Sequence, residues 1–217
     1  MNPLPFLNEL AANNDRPWFQ AHRDEYEQVR RAWIADIDLF IAACSQWEPA
    51  YARLSGADSI YRIYRDTRFS PDKTPYKTHM AAYLSPRGRR VNMAGVYIQA
   101  GGDMSGLYAG LWMPRSDELR KLRHAIVDNI EEFEEIISEP VCRSRFPEWC
   151  GPRLKTIPKG WPREHPQAEL LRLLSYGVEY PVPDSFWDDP AWPEQAAALL
   201  APTKPLLDFL NYSLFEE

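Results

Sequence analysis

Apolar positions recur along this chain with two different periods. From Phe19, the residues His22, Tyr26, Val29, Trp33, Ile37, Phe40 and Cys44 follow at steps of three or four, the spacing of one helical face. Arg23, Asp24, Glu27, Arg30, Arg31 and Asp38 fall on the other side. The pattern predicts one long amphipathic helix that must lie against something flat and apolar. Asp15 is placed to cap it, with Pro17 in its first turn. Before it, Asn13-Asn14 suits the left-handed C-cap of a short helix carrying Phe6, Leu7 and Leu10.

Between 61 and 112 the period shortens to two. Tyr61–Asp66, Lys77–Leu84, Met93–Ala100 and Ser105–Trp112 read as strands, the last two joined by the hairpin signal Gly101-Gly102-Asp103. Two prolines keep Ser70–Pro75 irregular. Helical spacing returns after a cap at Ser116, with Leu119, Leu122, Ile126, Ile130, Phe133 and Ile137 as a buried stripe that Pro140 ends. Gln167–Tyr176 reads as another helix and 177–193 as a Pro/Trp-rich connection. The C-terminal end reads as two short helices broken at Pro202 and Pro205. Strands first and helices around them predict an α+β single domain. Its antiparallel sheet, of about four to six strands, is covered by the long N-terminal helix and further C-terminal helices.

Composition narrows the class. At 217 residues the chain is long enough for one well-buried core, and 45% hydrophobic with 26% charged residues is an ordinary globular balance. Twenty prolines stiffen connections, while eight Trp and eleven Tyr need somewhere to pack. Cys44, Cys142 and Cys150 are odd in number and lack CxxC spacing, so neither a disulfide framework nor a zinc site is indicated. No leader pattern and no long apolar run is present, which sets a cytoplasmic, reduced protein without membrane attachment as the expectation.

Charge is what singles out one stretch. The net charge is −6, yet residues 61–90 carry eight Lys/Arg against Asp66 and Asp72, leaving 17 basic and 29 acidic side chains elsewhere. A basic island on an acidic body suits a small anion better than a long nucleic acid, which the body repels.

Several segments together resemble one family, the bacterial uncharacterised proteins catalogued as domain of unknown function 2461. They are Phe6-Leu7 with Asn13-Asn14 and Arg16, Trp18-Phe19 with His22-Arg23 and Tyr26, and Arg62 with Arg65-Asp66-Thr67-Arg68-Phe69-Ser70. Asp72-Lys73, Pro75-Tyr76-Lys77-Thr78-His79, Gly110-Leu111-Trp112 with Pro114, Leu154-Lys155, Pro158-Lys159-Gly160 and His165-Pro166 complete the set. The resemblance spans nearly the whole chain and implies no activity, substrate or cofactor. After Lys159-Gly160 this chain has Trp161-Pro162 where the family pattern has Tyr or Phe and then Asp, so an acid in that loop has no counterpart here.

The residues themselves point to an anion site. Arg62, Arg65, Arg68, Lys73 and Lys77 come from a strand end and a stiff loop. Tyr64 and Tyr76 add hydroxyls, and Lys155 and Lys159 of the second basic loop, 153–165, are expected to close the site. His79 beside Asp66 is the candidate acid–base pair for catalysis. No spacing supports a metal, and His22 reads as a packed histidine. Trp161 is a candidate rim for a nucleotide-like ligand. Two alternatives stay open. Asp66 and Asp72 can pair with Arg62, Arg65 or Arg68 and simply pin the loop. The island can also dock an acidic protein or nucleic acid without catalysis, with Tyr61, Tyr64, Tyr76 and Tyr83 as stacking partners. The reaction, any cofactor and the oligomeric state are not readable from the chain.

Overall fold

A computed structural model describes residues 1–215. Helices α1 (Leu4–Ala12), α2 (Arg16–Ala21), α3 (Arg23–Cys44) and the single turn α4 (Gly56–Ser59) precede three strands, β1 (His79–Leu84), β2 (Gly95–Gly101) and β3 (Gly106–Leu111). Helices α5 (Ser116–Asp128), α6 (Ile130–Ser138), α7 (Pro140–Arg145) and α8 (Ala168–Arg172) lead to β4 (Tyr176–Pro181), and α9 (Trp192–Leu200) and α10 (Lys204–Phe215) close the chain. The strands form one antiparallel sheet in the order β1-β2-β3-β4. This is the expected α+β architecture, at the lower end of the strand count.

Strand alternation makes the sheet two-faced. Met80, Ala82 and Leu84 of β1, Val96, Ile98 and Ala100 of β2, and Leu107, Ala109 and Leu111 of β3 are buried in one core with residues from α1, α9 and α10. His79, Tyr83, Tyr97, Tyr108 and Glu179 alternate with them onto the other face, where they are only half-buried. The long helix α3 packs chiefly on α9, with Trp33 stacked on Trp192 at 5.4 Å, so it forms an outer helical layer.

The long helical patterns are interrupted, and for one reason. The helix expected from Phe19 to Cys44 breaks at His22, whose Nδ1 lies 2.8 Å from the Trp18 carbonyl. The one expected from Ser116 to Ile137 breaks at Asn129, whose Nδ2 donates to the Ala125 carbonyl at 2.9 Å. Asn13 ends α1 in the same way, donating to the Glu9 carbonyl at 3.0 Å with φ −132°, not the left-handed cap expected. In each case a side chain takes up a carbonyl four residues back and offers the backbone a way out of the helix. Asp15 caps α2 as expected, accepting from the Trp18 amide. The first turn of α5 is closed by Glu118, which accepts from the Arg115 amide at 2.8 Å, so the cap position is Arg115 and not Ser116.

Two segments depart from the expected elements. Residues 61–66 are not a strand. The Arg65 amide donates to the Pro75 carbonyl at 2.9 Å and the Lys77 amide to the Ile63 carbonyl at 2.8 Å, but Pro75 has no N–H to return and the ladder stops at a single bridge. The 177–193 connection instead opens with β4, and the expected helix before it ends at Arg172. β4 is an edge strand, which tolerates Pro181 at its end. Pro205 sits inside the first turn of α10 and starts that helix, and the break falls at Ala201–Thr203.

Two asparagines fix irregular backbone to this frame by reciprocal pairs. Asn14 donates to the Tyr76 carbonyl at 3.0 Å and accepts from its amide at 3.1 Å. Asn211 does the same for Ala94, at 3.0 and 2.8 Å. Each side chain stands in for a neighbouring strand, and Tyr76 is pressed between this clamp and the Phe19 ring, stacked at 4.0 Å. Asn14→Ala leaves the Tyr76 amide and carbonyl without partners and is expected to cost about 1–3 kcal/mol. It should also speed amide exchange at Tyr76 and Lys77. Urea unfolding with hydrogen exchange checks this; a wild-type midpoint and exchange rate would show that the clamp carries no weight.

Candidate functional site

The segment that carries the basic island resolves into two unlike halves. At its outer end the charges are internally satisfied. Arg65 bonds Asp72 and Thr74, Arg68 forms a two-pronged pair with Asp66 at 2.9 and 2.6 Å, and Lys73 donates to the Thr67 carbonyl at 2.9 Å. Asp72 is held down to about 2 by the Thr74 amide first and by Arg65 next, and Asp66 is lowered chiefly by its bonds from Arg68. This is the loop-pinning arrangement that the alternation of Arg and Asp allows. Tyr76 is core, Tyr64 is half-exposed beside Phe19, and Phe69 projects almost fully into solvent.

At the inner end the charges have no carboxylate. Lys77 Nζ stands 5.2 Å from the centre of the Tyr61 ring and the Arg89 guanidinium 5.5 Å from it. Among the described residues Arg62, Lys77, Arg89 and Arg90 make no ion pair. Burial pushes the Lys77 ammonium below its ordinary value, and the neighbouring Arg62 and Arg89 charges push it further.

This inner end opens onto the uncovered sheet face. A half-open cleft of about 830 Å³ runs across it from Lys77 and His79 to Glu179, within the range of small-molecule sites. Its floor follows from strand register. Tyr83 pairs with Tyr97, Tyr97 with Tyr108 and Tyr108 with Glu179, so one residue from each strand forms a single row. Two positions along, Gly95, Gly110 and Gly177 form a second row with no side chains. Gly110 has φ +139°, and a Cβ there would lie 2.2 Å from the Tyr176 carbonyl oxygen; at Gly95 it would lie 2.1 Å from that of Leu84. Neither position admits a side chain.

The groups in the cleft are neutral donors and a neutral base, bounded by charges. Burial raises the phenols of Tyr61 and Tyr97, and burial together with Glu179 takes Tyr108 to about 12, so all three keep their protons. Tyr97 donates to Gln99 at 2.7 Å and Tyr83 to the Met93 carbonyl. His79 is lowered by burial and by Lys77, against a weaker opposing pull from Asp103. Cys150 is raised to about 11 by burial and Glu179, which leaves it a thiol and not a nucleophile. Among the described residues no three His, Cys, Asp or Glu side chains gather in a metal-holding group, and no helix is long and apolar enough to cross a membrane.

Of the residues expected in the site, only Lys77 and His79 line this cleft. Asp66 does not line it with His79; it is turned to Arg68. Lys155 and Lys159 are exposed on a loop tied to α8 through the Leu154 amide and the Arg172 carbonyl at 2.7 Å. Among the described residues no hydrogen bond, ion pair or ring contact joins that loop to residues 62–79, and Trp161 packs between His124 and His165 instead. Arg89, Arg90, Tyr97, Tyr108 and Glu179 were not singled out as site residues. For Tyr97, Tyr108 and Glu179 the signal is the repeated spacing of a glycine two positions away in Gly95-Val96-Tyr97, Tyr108-Ala109-Gly110 and Gly177-Val178-Glu179, and for Arg89 and Arg90 it is their place in the basic island. A second cavity, of about 450 Å³, lies between α6, α7 and the chain after them, and is walled largely by Ile136, Ile137, Phe146 and Trp149.

An α+β domain with one helix-covered and one open, tyrosine-lined sheet face is the class that these observations define. The chain belongs to the conserved hypothetical protein family DUF2461, whose model it matches over residues 2–209. No curated protein and no solved structure matches it.

His79 yields a pH dependence of known sign. The unfolded chain binds the imidazole proton near its ordinary value of 6.5, while the native ring resists protonation until lower pH. Stability contributed by the neutral ring is therefore present above pH 6.5 and is lost as pH falls through 6.5 towards the lower native value. His79→Gln should show a shallower fall in urea midpoint than wild type between pH 7.5 and 5.5. Parallel profiles would mean that the ring is not desolvated.

Proposed function

We propose that the cleft on the open sheet face binds a small ligand with a carboxylate or phosphate group, seated where Lys77 and Arg89 meet over Tyr61. The observation that carries this reading is the group of Lys77, Arg89 and Arg90 at the end of a cleft of ligand size, none of them paired with a carboxylate among the described residues, although Arg89 also donates to the Asp58 carbonyl. The Arg62 and Arg89 charges around the half-buried Lys77 ammonium disfavour its charged form unless an anion joins them, whereas Arg65 and Arg68 already have carboxylate partners. The protonated phenols of Tyr61 and Tyr108 offer donors, and the three rings with Tyr97 offer flat apolar faces for the body of the ligand. If the bound molecule is turned over, the proton-transfer group is His79, the one imidazole in the cleft, without help from Asp66.

A second reading has the same face docking an acidic protein segment or single-stranded nucleic acid. Its support is the row of half-buried rings across an antiparallel sheet. A carboxylate at Glu179 in that row and a net charge of −6 favour the small ligand.

A panel of inorganic phosphate, nucleoside monophosphates and aromatic carboxylates at low salt tests the reading. A ligand at a hundred times its Kd adds about 2.7 kcal/mol to the folded state, a rise in Tm of roughly 5–10 °C for a chain of this size. Lys77→Met and Arg89→Met should abolish the rise, and Lys77→Met should leave the free protein as stable as wild type or more so, while Arg89→Met also loses the bond to the Asp58 carbonyl. No shift from any anion, or variants that melt well below wild type, would assign these cations to the fold and not to a ligand.

A further inference from the structure

The far end of the cleft carries the opposite charge. Glu179 is half-buried, and among the described residues it makes neither an ion pair nor a hydrogen bond. It closes the row that begins at Tyr83, three inter-strand steps away, or about 14 Å. The carboxylate is beside Tyr108, its register partner, and near Cys150, since its charge acts on both. Trp112, 61% exposed, stands at this end against Gly151, while the Cys150 amide is bonded to the Gly177 carbonyl at 2.8 Å. A carboxylate beside a Tyr ring, at the end of a cleft that Trp112 also lines, is a receptor for an ammonium or guanidinium group, by ion pairing and by the face of the ring.

The two ends do not satisfy one another. Lys77 and Arg89 sit over Tyr61, and from there a continuous run of rings leads inward, Tyr61 to Tyr97 at 6.0 Å and Tyr97 to Tyr108 at 5.5 Å, before Glu179 is reached. Between them lie neutral phenols and the glycine row, where the backbone itself is the surface. A ligand with only an anionic group would fill one end, displace water from the other and leave Glu179 buried without a partner, a cost of the order of a lost charged hydrogen bond.

Building on the anion reading above, we propose that the ligand is dipolar: an elongated molecule with a carboxylate or phosphate at the Lys77–Arg89 end and an ammonium or guanidinium group at Glu179, separated by a flat or apolar middle. The rings set the length of the middle, and the missing side chains at Gly95, Gly110 and Gly177 set its depth.

Titration calorimetry at low salt with 10-aminodecanoate, whose charges lie about 12 Å apart when extended, and with decanoate, which lacks the amine, separates the two ideas. Wild type is expected to bind the amino acid at least tenfold more tightly than the plain acid. Glu179→Gln should bind the two equally, at the affinity of wild type for decanoate, and Lys77→Met should lose both. The comparison of the two probes on wild type needs no variant, so it stands even if a substitution disturbs folding. Equal affinity of wild type for both probes, sensitive to Lys77→Met, overturns the dipolar ligand and leaves the anion site intact. Binding of neither probe, or binding indifferent to Lys77→Met, overturns both.

Discussion

A four-stranded sheet with helices on one side only must do two incompatible things with its two faces, and the rest of this molecule follows from that constraint. The covered face is filled by small and branched residues, Ala82, Val96, Ile98 and Ala109 among them, against α1, α9 and α10. The open face cannot be apolar without inviting aggregation, nor fully polar without losing the cross-strand contacts that hold a sheet together. Tyrosine resolves the conflict. Its ring packs on the ring of the next strand, and its hydroxyl reaches Gln99 or a backbone carbonyl. A surface built to be stable in this way is also a surface of flat rings and phenolic donors.

Charge is divided along the same boundary. On the loop beyond the sheet, each acidic side chain lies on the same loop as the Arg it neutralises, Asp66 two residues from Arg68 and Asp72 seven from Arg65. Such exposed pairs are worth little individually, and their effect is to hold one loop geometry. Where the segment joins the sheet the pattern changes: the half-buried Lys77 feels the exposed charges of Arg62 and Arg89 and makes no ion pair among the described residues. The Asn14 clamp on Tyr76 sits one residue from this cluster and holds the backbone that the repulsion works against. Structural charge and unsatisfied charge are therefore adjacent in the chain but distinct in the fold.

That distinction explains what was legible in the sequence. The α+β class, the hairpin of β2 and β3, the Asp15 cap and the family could all be read from the chain, because each depends on local periodicity, local capping chemistry or contiguous motifs. The breaks at His22 and Asn129 were hidden because both positions fit the apolar spacing or lie between apolar positions, and only the side-chain bond to a carbonyl one turn back ends the helix. β4 was hidden by Gly177 and Pro181, which read as loop residues until an edge position makes them acceptable. For the site, charge density pointed to the segment whose inner end reaches the cleft at Lys77 and His79. It also drew in Arg65, Arg68 and Lys73, because density cannot tell a paired cation from a free one. The second basic loop, with Lys155 and Lys159, resembled a partner in composition alone; its backbone is tied to α8.

Register is the property that composition could not convey. Tyr83, Tyr97, Tyr108 and Glu179 are scattered over almost a hundred residues, and they form a row only because antiparallel pairing brings each opposite the next. A slip of one residue at any strand would turn that side chain into the core and bring an apolar one out. The buried alternation that specifies the core therefore also specifies the row, and the glycines beside it fix strand approach at Gly95 and Gly110 by excluding a Cβ. The open face needs no separate device to position its groups. Its geometry is the reverse side of a core that must pack in one register, which makes the separation between Tyr83 and Glu179 as rigid as the sheet itself.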